Sequence, residues 1–292
     1  MGHRGSDSTH ADSPPRELQD ALARVRPRLG RLASTLLFFP TIGSTNDVAS
    51  AHATGDRGDA EGLVVVADAQ TAGRGRRGHV WFSPPGSGLY VSVVLSPARA
   101  SADRDRAVQL LTLSVGVALA EAIETVAGPS TAPGASLRAE LKWPNDLYVE
   151  RRKLAGILAE AISTSGPAAS HARHVVVGYG INVAPTAYPP ELRDRATSLE
   201  SELGRPIDRH QLLAETLAAL ASRYDDLLAG RFDAILDAWR RRAPRSSGAR
   251  VEWSDRSGRR SGVTAGIDRD GALLVRTGSA VERIVGGELT WL

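Results

Sequence analysis

The sequence contains no cysteine, and this absence excludes several kinds of functional site at once. Without cysteine the chain has no disulfide, thiolate zinc site, iron–sulfur cluster or cysteine nucleophile. Any metal would have to be bound by oxygen atoms or by histidine. The N-terminus is polar where a signal peptide needs an apolar segment, and no apolar run approaches the roughly 18 residues of a membrane span. We therefore expect a cytoplasmic protein without a membrane segment.

The chain also has little excess of charge of either sign. It has 36 basic and 33 acidic residues, which gives a net charge of +3 over 292 residues. A larger basic excess is typical of proteins that bind nucleic-acid phosphates, so this balance supports such a partner only weakly. Hydrophobic residues at 42% and charged residues at 24% indicate an ordinary globular protein. The length suits one large domain with a small second one.

Lysine and asparagine are scarce, and the few that occur are informative. The only lysines are Lys142 and Lys153, and the only asparagines are Asn46, Asn145 and Asn182. Arginine supplies the other basic residues. A compact ammonium differs from a planar guanidinium in shape and in the ligands it suits. We therefore predict that both lysines serve a ligand.

A loop rich in arginine and glycine covers residues 71–82. It holds Arg74, Arg76 and Arg77 among three glycines, between an apolar run and an aromatic pair. Glycine permits close approach of backbone amides to a ligand, and arginine presents a fork of donors to carboxylate or phosphate. The loop lacks the ending of a Walker P-loop and precedes a strand pattern, which argues against a dinucleotide fingerprint. It is either an anion-binding loop or a solvated basic loop.

The apolar pattern predicts three regions along the chain. Residues 1–15 lack periodicity and are predicted to be disordered, and residues 16–243 are predicted to form a domain of strands and helices. Strands are expected at 36–39, 63–67, 89–95 and 174–183, and helices at 17–29, 107–126 and from Asp208 to Leu228. A linker at 244–248 precedes short strands in residues 244–292, which predict a small barrel docked on the first domain.

Polar residues at the ends of these elements are candidate ligand contacts. Ser44, Thr45 and Asn46 precede a helical pattern, where they would either cap the helix or bind a polar group. A meander of strands would bring the segments around Lys142 and Lys153 close together. Two glycines in the interior of the 174–183 strand indicate either close approach of a ligand or a β-bulge.

Six segments together resemble the bacterial biotin protein ligase family and occur in that family's order. They are residues 43–46, Gln70 with 73–78, 142–146, 153–158, 180–182 and 286–288. The resemblance implies an α+β catalytic domain with a mixed sheet and flanking helices like that of class II aminoacyl-tRNA synthetases, followed by an SH3-like β-barrel. It implies an enzyme that joins biotin to ATP as biotinyl-5′-adenylate and passes biotin to a lysine of a carboxylase biotin carrier domain.

The resemblance also assigns roles to residues. Arg74, Arg76 and Lys153 are implied as catalytic cations that hold the substrate carboxylate and the adenylate phosphate. The residues implied for biotin are Ser44, Thr45, Gln70, Gly73, Arg74, Lys153, Gly156, Leu158 and Gly178. Those implied for ATP are Arg76, Arg77, Trp81, Lys142, Asn145, Asp146 and Asn182. ATP is accompanied by Mg²⁺, for which Asp146 is the expected oxygen contact.

Alternatives to this interpretation concern the substrate and the partner. Lipoate or octanoate transfer would use the same kind of catalytic domain. An arginine-rich nucleic-acid-binding module is a further alternative, although eight arginines and six acids are mixed from Arg245 onward. Only about 40 residues precede Gly43, too few for the N-terminal DNA-binding domain of regulatory members. We therefore predict a ligase that is not a repressor, as a monomer or weak homodimer.

Overall fold

A seven-stranded mixed sheet forms the centre of the larger part of the protein. The computed structural model describes residues 11–55, 59–129, 137–162, 174–255, 258–287 and 289–292. The strand order is β1-β2-β3-β7-β6-β5-β4, in which β1 and β2 are parallel and every other pair is antiparallel. The strands are β1 (Thr35–Ile42), β2 (Leu63–Gln70), β3 (Gly88–Leu95), β4 (Glu140–Lys142), β5 (Asp146–Val149), β6 (Arg152–Ile162) and β7 (His174–Asn182).

Helices cover both faces of this sheet. Val64 and Val66 of β2 belong to a large core shared with α1, α3 and α5, whereas Leu63 and Val65 pack with Ala49 of α2 on the other face. This two-sided burial explains the continuous apolar run in β2. The helices are α1 (Arg16–Val25), α2 (Thr45–Thr54), α3 (Arg104–Ala127), α4 (Leu199–Leu203), α5 (Arg209–Leu228) and α6 (Phe232–Arg242).

The helix α3 is the central element of the larger core. Among the described residues it is the one helix long and apolar enough, by length and composition, to cross a membrane. By this measure the expectation that no segment approaches the length of a membrane span was wrong. Two thirds of its most apolar window is buried against neighbouring elements, among which α5 and α6 contribute the helical contacts. Burial accounts for its apolar character without a bilayer.

The N-terminal part of the described chain pairs with the sheet. The backbone N–H of Asp12 donates to the carbonyl oxygen of Phe38 at 2.8 Å, where disorder was predicted through residue 15. Residues 1–10 of that predicted tail lie outside the described residues. The first helix ends at Val25, earlier than expected, and continues as a 3-10 turn, Arg26–Arg28.

The C-terminal residues form a second, five-stranded antiparallel sheet, consistent with an SH3-like domain. Its order is β11-β10-β9-β8-β12. The predicted linker is a 3-10 turn, Pro244–Ser246, whose Ser246 is buried. Trp143 Nε1 donates to the Gly271 carbonyl oxygen at 3.0 Å, so the second sheet packs against the β4–β5 hairpin as expected. The strands are β8 (Ser247–Asp255), β9 (Gly258–Ile267), β10 (Leu273–Thr277), β11 (Ala280–Ile284) and β12 (Leu289–Trp291).

Candidate functional site

A cavity of about 1060 Å³ lies beside β6 and β7, under the arginine-rich loop. Of the sequence-predicted site residues, all but Gly73 line it, so residues up to 138 positions apart meet here. The predicted residues on its wall are Ser44, Thr45, Gln70, Arg74, Arg76, Arg77, Trp81, Lys142, Asn145, Asp146, Lys153, Gly156, Leu158, Gly178 and Asn182.

One end of the cavity is neutral and closely hydrogen-bonded. Gln70 Oε1 accepts from the backbone N–H of Thr45 at 2.9 Å and from the Thr45 hydroxyl at 3.1 Å. The Gln70 amide donates to Ser83 Oγ at 3.0 Å. Ser44 and Thr45 are almost fully buried, and Ser44 does not cap α2 with its side chain. This end therefore offers fixed donors and acceptors, suited to an uncharged polar group.

The arginine-rich loop is folded back on itself. Trp81 N–H donates to the Gly73 carbonyl oxygen at 2.9 Å, and Gly75 N–H donates to the His79 carbonyl oxygen at 2.7 Å. A Cβ on Gly73 would lie 2.3 Å from the Trp81 carbonyl oxygen. Gly73 is thus needed for the close approach of the two arms of the loop, although it does not itself line the cavity. Arg77 has a positive φ of 56° at the turn.

The three arginines of the loop have different surroundings. Arg74 Nη2 lies 2.7 Å from Asp47 Oδ1 and 2.8 Å from Glu160 Oε2. Arg76 Nη1 donates to Asn145 Oδ1 at 3.0 Å, which ties the loop to the β4–β5 turn. Arg77 is exposed at the mouth of the cavity. Of these three arginines, Arg76 is the one that hydrogen-bonds another predicted site residue among the residues that the structure describes.

Lys153 lies at the junction between the loop and the sheet. Its backbone N–H donates to the Arg195 carbonyl oxygen at 2.8 Å, which fixes the start of β6. Its ammonium is ion-paired with Asp146 at 2.7 Å and lies 5.4 Å from the centre of the Trp81 ring. The ammonium thus has a carboxylate partner and an aromatic cover.

The glycines of β6 and β7 that line the cavity lie against two different side chains, Trp81 and Asn46. A Cβ on Gly180 would lie 2.4 Å from Trp81 Nε1, and one on Gly156 would lie 3.1 Å from the same indole. The Trp81 Nε1 is buried and has no hydrogen-bond partner in the described part of the chain. A Cβ on Gly178 would lie 2.1 Å from Asn46 Oδ1. Gly178 lines the cavity, as predicted for a biotin contact, and its missing Cβ also leaves room for Asn46.

Lys142 lies in the basic part of the cavity nearest the second sheet. Its ammonium donates to the Tyr148 hydroxyl at 3.2 Å and lies 5.9 Å from the Trp291 ring. Burial lowers the pKa of this ammonium to about 8, and Asp146 opposes the shift. Nearby Arg245 and Lys153 lower the pKa further. A phosphate placed here would meet several cations.

The two asparagines near β5 and β7 line the cavity and also hydrogen-bond within the protein. Asn145 accepts from Arg76 and donates through Nδ2 to the Ile157 carbonyl oxygen at 2.8 Å, so it positions the loop arginine. Asn182 was predicted to serve the nucleotide. It lines the cavity, yet its Nδ2 donates to the Thr197 carbonyl oxygen at 2.9 Å and the residue is buried. In this structure Asn182 ties β7 to the following loop.

Comparison with known proteins identifies the family. The model of the biotin/lipoate A/B protein ligase family matches residues 38–182. The bifunctional ligase/repressor BirA of Bacillus subtilis is 32% identical over 277 residues, covering 94% of this chain and 79% of that protein. This chain belongs to the biotin/lipoate A/B protein ligase family. The biotin–[acetyl-CoA-carboxylase] ligase of Paracoccus denitrificans is 34% identical over 242 residues, covering 80% of this chain and 90% of that one.

Solved structures of the family agree with the fold. The biotin protein ligase from Aquifex aeolicus, in complex with biotin and ATP, has a TM-score of 0.69 and 27% identity. That match covers 89% of this chain and 99% of the Aquifex chain. The two proteins therefore share the fold over most of the length of both chains.

A metal in this family member would have few protein ligands. Among the described residues no group of three or more histidines and carboxylates could hold a metal ion. Mg²⁺ in nucleotide sites takes one or two carboxylates together with substrate phosphates and water. Asp146, whose carboxylate lies on the cavity wall, fits that requirement as a single protein ligand.

Several residues that contact the predicted site residues were missed by sequence reasoning. Asp47 and Glu160 contact Arg74, and Ser92 joins Thr45 to Asn46. Asp47 and Glu160 carried a weak signal, because Asp47 directly follows the 43–46 segment and Glu160 lies two residues after the 153–158 segment. Ser92 is an ordinary polar residue whose contacts depend on the packing of α2 against the sheet. Tyr148, Arg195, Arg245 and Trp291 also line the cavity.

Proposed function

We propose that this protein is a biotin protein ligase. It joins biotin to ATP as biotinyl-5′-adenylate and transfers the biotinyl group to a lysine of a carboxylase carrier domain. The observation that carries this proposal is that one cavity joins the neutral pocket at Thr45 and Gln70 to the cations Arg76, Lys142 and Lys153. The names of its relatives, biotin–[acetyl-CoA-carboxylase] ligases among them, support the same reaction.

The first step joins two anions. An oxygen of the biotin carboxylate attacks the α-phosphorus of ATP, a new P–O bond forms, and the bond to the β-phosphate breaks to release pyrophosphate. Positioning and neutralisation by preorganised cations supply most of the catalysis in such a reaction. The residues placed to do this are Arg76, held by Asn145, and Lys153, held next to Asp146.

Lys142 and Arg77 serve the phosphates away from the reacting carboxylate. Lys142 lies deep in the basic part of the cavity and acts as a point charge toward the triphosphate. Arg77 lies at the mouth and reaches phosphates that protrude toward solvent. Bound Mg²⁺ would neutralise phosphate charge, with Asp146 as its protein ligand.

The second step passes the acyl group to the carrier. The lysine amine attacks the acyl carbon, a C–N bond forms and AMP leaves with the electrons of the cleaved C–O bond. The adenylate is an activated acyl phosphate, so it must be shielded from water until the carrier arrives. Residues 71–82, which cover the cavity, are placed to provide this shield.

The neutral end of the cavity favours biotin over lipoate. The family description covers both acids. The ureido group of biotin has a carbonyl oxygen and two N–H groups that match the hydroxyl of Thr45 and the amide of Gln70. A lipoyl dithiolane has no such groups and could make no hydrogen bond to these side chains. A site built this way rejects the ligand that lacks the polar group.

The decisive experiment measures pyrophosphate release from ATP with purified protein and a single acid. We expect release with biotin and none above background with lipoate or octanoate. Labelled biotin should then appear on a carboxylase carrier domain, and a carrier whose target lysine is changed to arginine is the control. Release that depends on lipoate, or labelling of the control carrier, would contradict the proposal.

The absence of sequence-specific DNA binding and the oligomeric state both remain predictions. The Bacillus subtilis relative is named a bifunctional ligase/repressor, whereas we propose ligase activity without sequence-specific DNA binding for this chain. Fluorescence anisotropy with a duplex at several salt concentrations tests this, since non-specific binding disappears as salt rises. Analytical ultracentrifugation with and without biotin and ATP tests the expected monomer or weak homodimer.

A further inference from the structure

The guanidinium of Arg74 is held on one side only. Its Nη2 lies between Asp47 Oδ1 at 2.7 Å and Glu160 Oε2 at 2.8 Å. Within the described ranges, Nη1 and Nε of Arg74 have no hydrogen-bond partner, and the residue lines the cavity. One edge of the fork is thus fixed by protein carboxylates and the other remains available for a substrate anion.

Glu160 is itself fixed by a buried polar side chain. The same oxygen that contacts Arg74 accepts from Asn46 Nδ2 at 2.7 Å. Asn46 is 4% exposed, and its own oxygen accepts from Ser92 Oγ at 2.6 Å. Gly178 lacks the Cβ that would displace Asn46. The carboxylate of Glu160 therefore has a defined position on the sheet, although Arg74 belongs to a loop.

The same network reaches the neutral end of the cavity. Ser92 Oγ lies 2.8 Å from Thr45 Oγ1, and the Thr45 hydroxyl contacts Gln70 Oε1 at 3.1 Å. Ser92 is fully buried on β3. A continuous series of close polar contacts therefore runs from the proposed ureido pocket to Arg74, and it sets the spacing between the two ends of the site.

We propose that Glu160, assisted by Asp47, is a positioning residue that orients Arg74 toward the carboxylate of the substrate. This inference rests on the proposed function. The pair is partly exposed, with 31% of the Glu160 side chain and 40% of the Arg74 side chain accessible, so it contributes little to fold stability. Its effect lies in preorganisation, because an arginine already in place need not be ordered when biotin binds.

The variant Glu160→Gln tests the orientation directly. Glutamine keeps the shape and still offers an oxygen to Asn46, but it removes the charge that holds Arg74. We expect the KM for biotin in adenylate formation to rise roughly tenfold and the KM for ATP to change less than about twofold. An unchanged KM for biotin would overturn the proposal. If Glu160→Gln does not fold, Asp47→Asn removes the second carboxylate and should change the same KM in the same direction.

A double-mutant cycle separates orientation from a structural role. In an Arg74→Ala background, Glu160→Gln should have no further effect on biotin affinity measured by calorimetry, because the group it positions is gone. Additive losses would show that Glu160 acts through Asn46 and the sheet, and would overturn the proposal.

The control is Glu121→Gln, which breaks an ion pair away from the cavity. Glu121 contacts Arg223 at 2.6 Å between α3 and α5, so it is a partly buried glutamate–arginine pair that lies outside the site. We expect wild-type kinetics from this variant. Absence of biotin-dependent pyrophosphate release in the wild-type protein would refute the proposed function itself. Normal release in the wild type with an unaffected Glu160→Gln would refute this inference alone.

Discussion

The two ends of the cavity differ in how they are built. At the neutral end Thr45 and Gln70 belong to the start of α2 and the end of β2, and their hydrogen bonds are made within the protein. At the anion end Arg74 and Arg77 belong to a loop, and much of each side chain is exposed. A rigid pocket suits recognition of one neutral group, whereas a loop suits charges that must close on a ligand and release it.

The two ends also differ in how they avoid unpaired polar groups. The neutral end satisfies its donors and acceptors internally. The anion end pairs cations with carboxylates: Lys153 with Asp146, and Arg74 with Glu160. These carboxylates hold the two cations in place before substrate arrives, although the partly exposed Arg74–Glu160 pair adds little to fold stability. We infer that substrate anions take over part of this role.

The largest effect is expected at the anion end. Lys153→Gln removes the charge between the loop and Asp146, and adenylate formation in a single turnover should slow by about 100-fold or more. Lys153→Arg keeps the charge with a different shape and should be intermediate. A near-normal rate in Lys153→Gln would contradict the division of the cavity into a neutral and an anionic end.

The next largest effect is expected on the stability of the fold, at a glycine of β7 on the cavity wall. Gly178→Ala would place a Cβ 2.1 Å from Asn46 Oδ1, and we expect a loss of about 1–3 kcal/mol in the free energy of unfolding, measured in urea. The biotin affinity of Gly178→Ala should fall together with its stability. The control Gly55→Ala has its nearest contact at 3.5 Å and should be nearly neutral. Equal stability of the two variants would show that Asn46 can be displaced freely.

A smaller effect is expected at the neutral end. Thr45→Val keeps the shape and the backbone N–H bond to Gln70 but removes the hydroxyl. We expect biotin affinity to fall by about 1 kcal/mol, roughly fivefold, with ATP affinity unchanged. Calorimetric titration with each ligand measures both. A matching loss of ATP affinity would show that the two ends are not independent.

The smallest effect concerns protonation at the anion end. The pKa of Lys142 is lowered to about 8, so its ammonium begins to lose its proton as pH rises through that value. Bound phosphate favours the charged form, and ATP binding at roughly pH 8.5 should therefore take up a proton. Calorimetry in buffers of different ionisation enthalpy measures this uptake. Lys142→Arg should abolish it, and uptake that persists would assign the proton to another group.

Local patterns predicted the elements of the fold well. The apolar run at 63–67 lies in a strand buried on both faces, and the Asp208 carboxylate accepts from the backbone N–H groups of His210 and Gln211 at the start of α5. These features depend on neighbours in the chain, which is why propensity and periodicity reveal them. The scarcity of lysine and asparagine also pointed to residues that line or support one cavity.

Features that depend on distant contacts were not predicted. Ser44 precedes a helix but does not cap it with its side chain, and the amide of Asn182 donates to the Thr197 carbonyl oxygen. Both side chains have several possible partners, and only the packing of the surrounding elements selects among them. The same reason explains why Ser92 carried no signal in the sequence.

The sequence by itself determined which chemical groups the site contains: two lysines, the loop arginines and a cluster of small polar residues. Their order along the chain and their spacing also determined the family resemblance. Only the tertiary structure decided that Glu160 and Asp47 hold Arg74, and that Asn46 occupies the space left by Gly178. The reason is physical, since hydrogen bonds and ion pairs depend on distances of a few ångströms between residues far apart in the chain.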